Sequence, residues 1–588
     1  MKGKRLLYLS AAMAVIIAVA LACFYPKNTQ TFKEVKDTIK APHHQGSVQV
    51  SVDTESIHLD IKNVGQRGLA QVYAYKANEY QSQDHIRGIS KDIKATGRYL
   101  GDYTCKQNKT LTIHRYDEQG YDGLYDKYYI IQNKKVLYGP VYATQIVSKR
   151  NTIAYKQPSI KGIFNEDANN VKYAKDLGAH SITLNIDLGT LLATNKKNAY
   201  NMKVNGQTYY FNKKSVSQID AKVKEASKAH MNVVAVLIAW KNHNYASFPK
   251  ALRYNSPKST ITMGTNTSNS QGRDDVIAMM EFLAQRYSES AQSGLISTYV
   301  ISNEIDFTHY FYDCGNLNTF MEEYERCLRL SNLAVKKYAA DINVAVPFTH
   351  YWTKSSGQMF KECPGHSLAP YKMLNWLAAY TNAQGAYDWA IAPHCYGTVN
   401  TKSNLAASDV KYKALTGDYK TSPQITFSNF ELWNAYLSQR VLKYQGHQRS
   451  VYLTESGASS SKNTTQGYQE QAATLAQVYY KVAQMPFVKS FNYYRLKDHQ
   501  QESANGLSCG LLATNYKQKP AYKVYKYIDT KDTLKYSNPY LKYINYQRNG
   551  IDRVSVASGN VKSWKDTMIV YSSDYNWNHW SLKHVYKA

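Results

Sequence analysis

Two apolar runs in this chain each close on a carboxylate. One reads Tyr299-Val300-Ile301-Ser302-Asn303-Glu304 and the other Val451-Tyr452-Leu453-Thr454-Glu455. Short branched runs of this kind fit buried strands. A carboxylate at the end of such a run gains nothing from strand burial and is kept cheaply only where it faces a site. Two carboxylates facing one another suit cleavage of a glycosidic bond: one protonates the leaving oxygen and the other attacks the anomeric carbon. Direct attack retains configuration and needs carboxyl groups about 5–5.5 Å apart, whereas inversion leaves room for a water at ~6.5–9.5 Å. The shorter spacing is expected for Glu304 and Glu455. Either glutamate alone reads equally well as a solvated loop residue; the pair carries the reading.

Carboxylates 151 positions apart must be brought together by a repeating scaffold. After Pro158 short apolar runs alternate with helical patterns, as β/α units require. Strands are expected at 160–164, 181–186, 232–240, 296–302, 343–348, 389–393, 450–454 and 488–493. Helices are expected at 168–177, 215–230, 274–287, 317–340, 371–380, 432–444, 466–484 and 521–528. Continuous apolar strands imply burial on both faces, and eight such units close into a (β/α)8 TIM barrel. An open doubly wound sheet would carry a Gly-rich turn after its first strand, and none follows Ile163. The expected fold class is α/β. The barrel spans 153–530, a small all-β sandwich at 46–152 precedes it, and 531–588 forms an appendage or short lid. Val48, Val50 and Val52, then Ile57, Leu59 and Ile61, give the sandwich its period of two.

In a barrel, chemistry sits where strands end at the C-terminal face. Residues just past the expected strands are therefore candidates. Trp240 and Trp352 read as stacking platforms or as core. His394 and Tyr396 close the sixth run, and a His there is often satisfied structure. Tyr494, Arg495, Asp498 and His499 follow the eighth; the last three are placed to bind sugar hydroxyls or a charged substituent, or to form a structural Arg–Asp pair. Glu166 follows the first run as a subsite candidate, with Asp187 and His350 as weaker ones. No metal-ligand spacing is visible, and neither metal nor cofactor is expected.

With these pieces in order, the chain resembles clan A of the glycoside hydrolases, the retaining barrel enzymes. Asn303-Glu304 matches the clan's Asn-Glu pair at strand four, Glu455 its strand-seven nucleophile, and Pro393-His394-Cys395-Tyr396 its His-x-Tyr at strand six. Gly510-Leu511-Leu512 and Lys519-Pro520-Ala521-Tyr522 are similar to the eighth loop and helix. Strand eight departs from the clan, with Tyr494 where Trp is common. The resemblance implies Glu304 as acid/base, Glu455 as nucleophile, Asn303 donating to the sugar 2-hydroxyl, Tyr396 holding the nucleophile and His394 steering it or contacting the sugar. The β-domain followed by a barrel also resembles a barrel family without an assigned function.

The N-terminus reads as an export signal. Lys2, Lys4 and Arg5 precede an uncharged, mostly apolar stretch from Leu6 to Tyr25, long enough to span a bilayer. Ala20-Leu21-Ala22-Cys23 leaves a cleaved signal, an uncleaved anchor and a lipid-anchored cysteine open. Residues 1–25 are thus signal or anchor and 26–45 a linker, with an extracellular, surface-held or membrane-anchored protein expected. Membrane contact is through the N-terminus only. Seven cysteines are irregularly spaced; one or two bridges among Cys314, Cys327 and Cys363, or free thiols, are expected. Lys+Arg 72 against Asp+Glu 44 gives +28, which favours an anionic cell-wall polymer as partner beside a carbohydrate substrate. The charge is dispersed, without basic runs or zinc-finger spacing, which argues against nucleic acid. Tyr at 53 residues supplies amphipathic rings for sugar stacking, or equally reflects a Lys- and Tyr-rich background composition. A non-catalytic glycan-binding or wall-associated protein on the same barrel is the alternative.

Overall fold

The computed structural model describes residues 46–76, 97–164, 171–241, 248–254, 262–289, 293–360, 365–396, 415–460, 463–547, 553–555, 559, 561–568, 575 and 577–586. The expected signal, linker and Cys23 lie outside these residues, as do Glu166 and Cys363. Among the described residues no helix is long and apolar enough to cross a membrane.

Period-two alternation produces a two-sheet β-domain. Its strands are β1 (Ser47–Val52), β2 (Ser56–Lys62), β3 (Leu69–Tyr75), β4 (Arg98–Thr104), β5 (Asn108–His114), β6 (Lys127–Gln132), β7 (Lys135–Val141) and β8 (Gln145–Ile146). They form sheets ordered β5-β2-β1-β8 and β4-β3-β6-β7. Val50, Ile57, Leu59 and Ile61 of one sheet and Val72, Tyr103, Tyr128 and Ile130 of the other are buried in one core. Just past β7 the Tyr142 amide donates to the Gln384 carbonyl of the barrel at 2.9 Å.

The barrel strands are β9 (Lys161–Phe164), β10 (Ser181–Asp187), β13 (Asn232–Trp240), β15 (Thr298–Ile301), β16 (Asn343–Phe348), β17 (Trp389–Pro393), β18 (Val451–Ser456) and β19 (Val488–Tyr493). Each is parallel to its neighbours, β19 pairs β9, and β10–β13 completes the ring: a closed eight-stranded barrel. Strand β13 shows why its run is apolar throughout. Val233, Ala235, Leu237 and Ala239 join the large core that includes the helices, whereas Val234, Val236 and Ile238 meet Val300, Ala345, Ala390 and Ala392 in a separate cluster. Alternate residues of a strand point to opposite faces, so a strand buried on both needs no polar positions. Helices Lys213–Lys228, Ser270–Glu289, Leu317–Lys336, Pro370–Gln384, Thr465–Val482 and Pro520–Tyr527 flank the strands. The helix expected over 432–444 stops at Leu437. A hairpin, β11 (Ala199–Val204) with β12 (Gln207–Asn212), is inserted after β10, and β14 (Thr262–Met263) extends β13 antiparallel.

The β-domain docks through a buried polar network. Tyr125 Oη donates to Glu281 at 2.6 Å, Tyr338 Oη to the same carboxylate at 2.8 Å, and Lys337 Nζ lies 2.9 Å from Glu281 and 3.0 Å from Asp122. Arg115 pairs Asp122 at 2.8 Å. Described residues of the C-terminal segment pack on the barrel: Trp564 stands edge-on to Tyr480, 5.5 Å away, and Gln477 Nε2 donates to the Thr567 carbonyl. Cys314 and Cys327 are free thiols, so the bridge considered between them is absent.

Candidate active site

Barrel closure brings the ends of β15, β17, β18 and β19 to one mouth. Strand β15 stops at Ile301, and the chain turns sharply through Ser302 (φ 71°) and Glu304 (φ 37°). Left-handed backbone at non-glycine residues is held only by its surroundings. Here the Ile305 amide donates to the Pro347 carbonyl and the Phe307 amide to that of Glu304. The turn carries the Glu304 side chain inward, where it is 1% exposed; Glu455, within β18, is 4% exposed. One oxygen of each carboxyl and one ring nitrogen of His394 lie within 4.8 Å of one another. Among the described residues no other trio of His, Cys, Asp or Glu gathers in this way.

The two carboxyls have different partners. Tyr396 Oη donates to Glu455 Oε1 at 2.8 Å. His394 Nδ1 lies 3.0 Å from Glu304 Oε1 and 3.8 Å from Glu455 Oε2, with Nε2 3.4 Å from Thr454 Oγ1. Glu304 Oε2 is buried without a hydrogen-bond partner. Burial pushes Glu304 up to about 8. Burial first, then the Glu304 charge, pushes Glu455 up to about 7, opposed by His394 and by the Tyr396 hydrogen bond. A hydroxyl aimed at one carboxylate and an orphan oxygen on the other split the pair: Glu455 loses its proton first and Glu304 keeps one. Burial holds His394 below the ordinary imidazole range and His350 down at about 4, so the His350 ring is neutral near pH 7.

Neighbouring side chains fix this arrangement. Gly457 is needed behind Glu455, because a Cβ there would lie 2.1 Å from the Tyr494 carbonyl oxygen. Tyr494 is buried, its ring tilted against Phe164 at 4.9 Å and edge-on to Tyr396 at 5.8 Å. Asn303 is buried beside Glu304. Trp240 is half-buried at the end of β13, against Phe307, Tyr310 and Tyr351. It is the partly exposed tryptophan among the expected site residues, and Asp187 accepts its backbone amide at 3.4 Å.

Other expected residues have different duties. Trp352 is no platform: it is 0% exposed, with Trp433, Tyr436 and Tyr371 at 4.9, 4.8 and 5.4 Å. Its Nε1 donates to the Tyr419 carbonyl at 2.6 Å, so the returning segment 419–436 covers it. Asp498 does not face substrate either. It pairs with Lys519 at 2.7 Å and accepts the Gly510 amide at 2.8 Å, which holds the eighth loop in place. Arg495 pairs with Glu502 at 2.7 Å rather than with Asp498, and its Nη1 donates to Tyr494 Oη at 3.2 Å. His499 stands half-buried, its Nδ1 3.8 Å from Glu502.

Two carboxylates escape a strand-end reading of the sequence. Asp306, two residues past Glu304, accepts the Thr349 amide at 2.9 Å and the Thr349 hydroxyl. Its signal is the polar string Ser302-Asn303-Glu304-Ile305-Asp306. Glu502 accepts from both Tyr494 Oη at 3.1 Å and Arg495. It sits on helix Gln500–Ala504 among polar residues and carries no sequence signal.

Comparison with known proteins adds the following. No curated protein matches the sequence. A family 39 glycoside hydrolase from the gut symbiont Bacteroides cellulosilyticus WH2 is similar at 15% identity and a TM-score of 0.41, covering 82% of this chain and 82% of that one. A glucosidase from Croceicoccus marinus is similar at 11% identity and a TM-score of 0.38, covering 65% and 70%. The β-D-glucuronidase of Dictyoglomus thermophilum is similar at 11% identity and a TM-score of 0.33, covering 82% and 67%. A family model, described as a family of unknown function (DUF5722), matches residues 154–550. That match takes in the whole barrel with Glu304 and Glu455, and the chain belongs to this family of unknown function.

Proposed function

We propose that this protein is a retaining glycoside hydrolase, with Glu455 as nucleophile and Glu304 as general acid/base. The observation that carries the reading is the approach of one oxygen from each carboxyl to within 4.8 Å of the other, with a tyrosine hydroxyl on one group and an orphan oxygen on the other. Retention needs carboxyl groups about 5–5.5 Å apart and inversion ~6.5–9.5 Å, and the close approach of one oxygen from each carboxyl favours the former. In the first step a Glu455 oxygen bonds to the anomeric carbon as the glycosidic C–O bond breaks, and the Glu304 proton passes to the departing oxygen. In the second, water attacks the same carbon, Glu304 takes its proton, and Glu455 is released. Asn303 donates to the sugar 2-hydroxyl, a bond that strengthens as charge develops. Trp240 offers a stacking face at the mouth. We further propose that the apolar segment 6–25 directs export, and that the +28 charge of the chain favours contact with an anionic wall polymer.

A screen of activated aryl glycosides tests this reading, run on the wild-type protein and on Glu455→Ala. Turnover by the wild type that Glu455→Ala abolishes supports it. Saccharide binding without turnover by either protein contradicts it and favours the glycan-binding alternative.

A further inference from the structure

Glu304 is aimed by a turn that its own residues disfavour. Ser302 and Glu304 both stand at positive φ, where L side chains carry strain. Something must hold the turn against β16, the adjacent strand. One backbone bond does part of this: the Ile305 amide donates to the Pro347 carbonyl at 3.2 Å, while the Asp306 carbonyl accepts the Leu368 amide, from the segment before helix Pro370–Gln384, at 2.8 Å. The side chain that reaches across is Asp306. Its Oδ1 accepts the Thr349 amide and its Oδ2 the Thr349 hydroxyl, so both carboxylate oxygens grip the first residue past β16. The Thr349 hydroxyl in turn accepts the Tyr351 amide at 3.3 Å. Asp306 and Thr349 are both buried.

We infer that Asp306 is a positioning residue for the proposed reaction: it clamps the left-handed turn to Thr349 and thereby holds Glu304 opposite Glu455. The inference rests on the glycosidase reading for its kinetic consequence, though not for the clamp itself. Asp306 touches no reacting atom. The ionisable groups around the clamp are Glu304 on its own loop, His350 past β16, His394 past β17 and Glu455 on β18, and none of them bonds to Thr349. Thr349 is therefore the partner whose loss matters.

Asp306→Ala removes both grips, whereas Asp306→Asn keeps one acceptor for the Thr349 amide and a donor for its hydroxyl. A misaimed Glu304 impairs proton delivery, so the loss depends on the leaving group. With Asp306→Ala, kcat/KM should fall about 100-fold on a glycoside with a poor leaving group, the usual worth of general acid help. On an activated aryl glycoside it should fall much less, and Asp306→Asn should restore most of both. Equal losses on the two substrates overturn the inference. Hydrogen exchange read by mass spectrometry decides the clamp without any turnover. Amides 302–309 should exchange faster in Asp306→Ala and as in wild type in Asp306→Asn, with the rest of the barrel unchanged. Unchanged exchange over 302–309 in Asp306→Ala overturns the clamp. A wild type that turns over no glycoside overturns the functional reading while the exchange result still decides the clamp.

Discussion

Replacing Glu304 by Gln should stabilise this protein, and more so as the pH rises. Glu304 is buried with one oxygen unpartnered, and burial lifts it from an ordinary 4.5 to about 8. Between those limits the folded state holds a proton that the unfolded chain has released, so the fold binds more protons and its stability falls with rising pH. This is the reverse of a carboxylate in an ion pair. Each pH unit is worth about 1.4 kcal/mol, which sets a ceiling of roughly 3 kcal/mol by pH 7. Gln has the volume and hydrogen-bonding ends of the protonated acid and carries no such pH dependence. For a chain of this size the unfolding entropy is on the order of 1 kcal/mol per degree, so the ceiling corresponds to about 3 °C. Melting scans of wild type and Glu304→Gln at one heating rate from pH 5 to 8 measure the difference. It should be near zero at pH 5 and grow steadily. A variant that is less stable throughout, or a difference flat with pH, would refute the claim that Glu304 keeps its proton in the fold.

Four further outcomes follow from the same geometry. Glu455→Ala should abolish turnover, and added azide should give a product of the opposite anomeric form; Glu304→Ala should spare activated aryl glycosides, which need little acid help. Tyr396→Phe removes a charge-assisted bond worth about 1.5–3 kcal/mol, so kcat/KM should fall about 10- to 100-fold. Because that bond lowers the Glu455 pKa, the acidic limb of the pH–rate profile should move to higher pH. In the wild type, kcat/KM should follow a narrow bell, lost below about 7 as Glu455 gains a proton and above about 8 as Glu304 loses one, the two limbs belonging to the pair. Glu281→Ala removes a buried carboxylate and leaves half-buried Lys337 with Asp122 alone, which should destabilise the docked β-domain by about 3 kcal/mol, read by denaturant unfolding.

The barrel was legible because its strands are buried on both faces. A run such as Val233–Ala239 has no polar position to confuse with a loop, and its order among helical patterns implies closure. The hairpin Ala199–Asn212 was not legible, since its strands alternate Lys, Asn and Tyr with little apolar signal inside a β/α unit. The strand-end rule singles out Glu304, His394, Tyr396 and Glu455, which the fold brings together, because each lies at the end of a buried run or within three residues of it. It misplaced Trp352, since position past a strand does not reveal that residues 419–436 return to bury the ring. It misplaced Asp498 for a similar reason: Lys519, its partner, is 21 positions away and meets it only through the fold of the eighth loop. Asp306 and Glu502 act by gripping neighbours, and a sequence shows the carboxylate without showing what it grips. The left-handed turn at Ser302–Glu304 is likewise hidden, as neither residue is a glycine.

The stereochemistry of the first product tests the central claim most directly. With an aryl glycoside identified as a substrate, proton NMR spectra taken within the first minutes separate the two anomers before they equilibrate. Direct attack by Glu455, one of whose oxygens lies within 4.8 Å of an oxygen of Glu304, predicts that the first sugar released keeps the configuration of the substrate. Release of the opposite anomer would mean that water attacks in the first step, and would contradict Glu455 as the nucleophile.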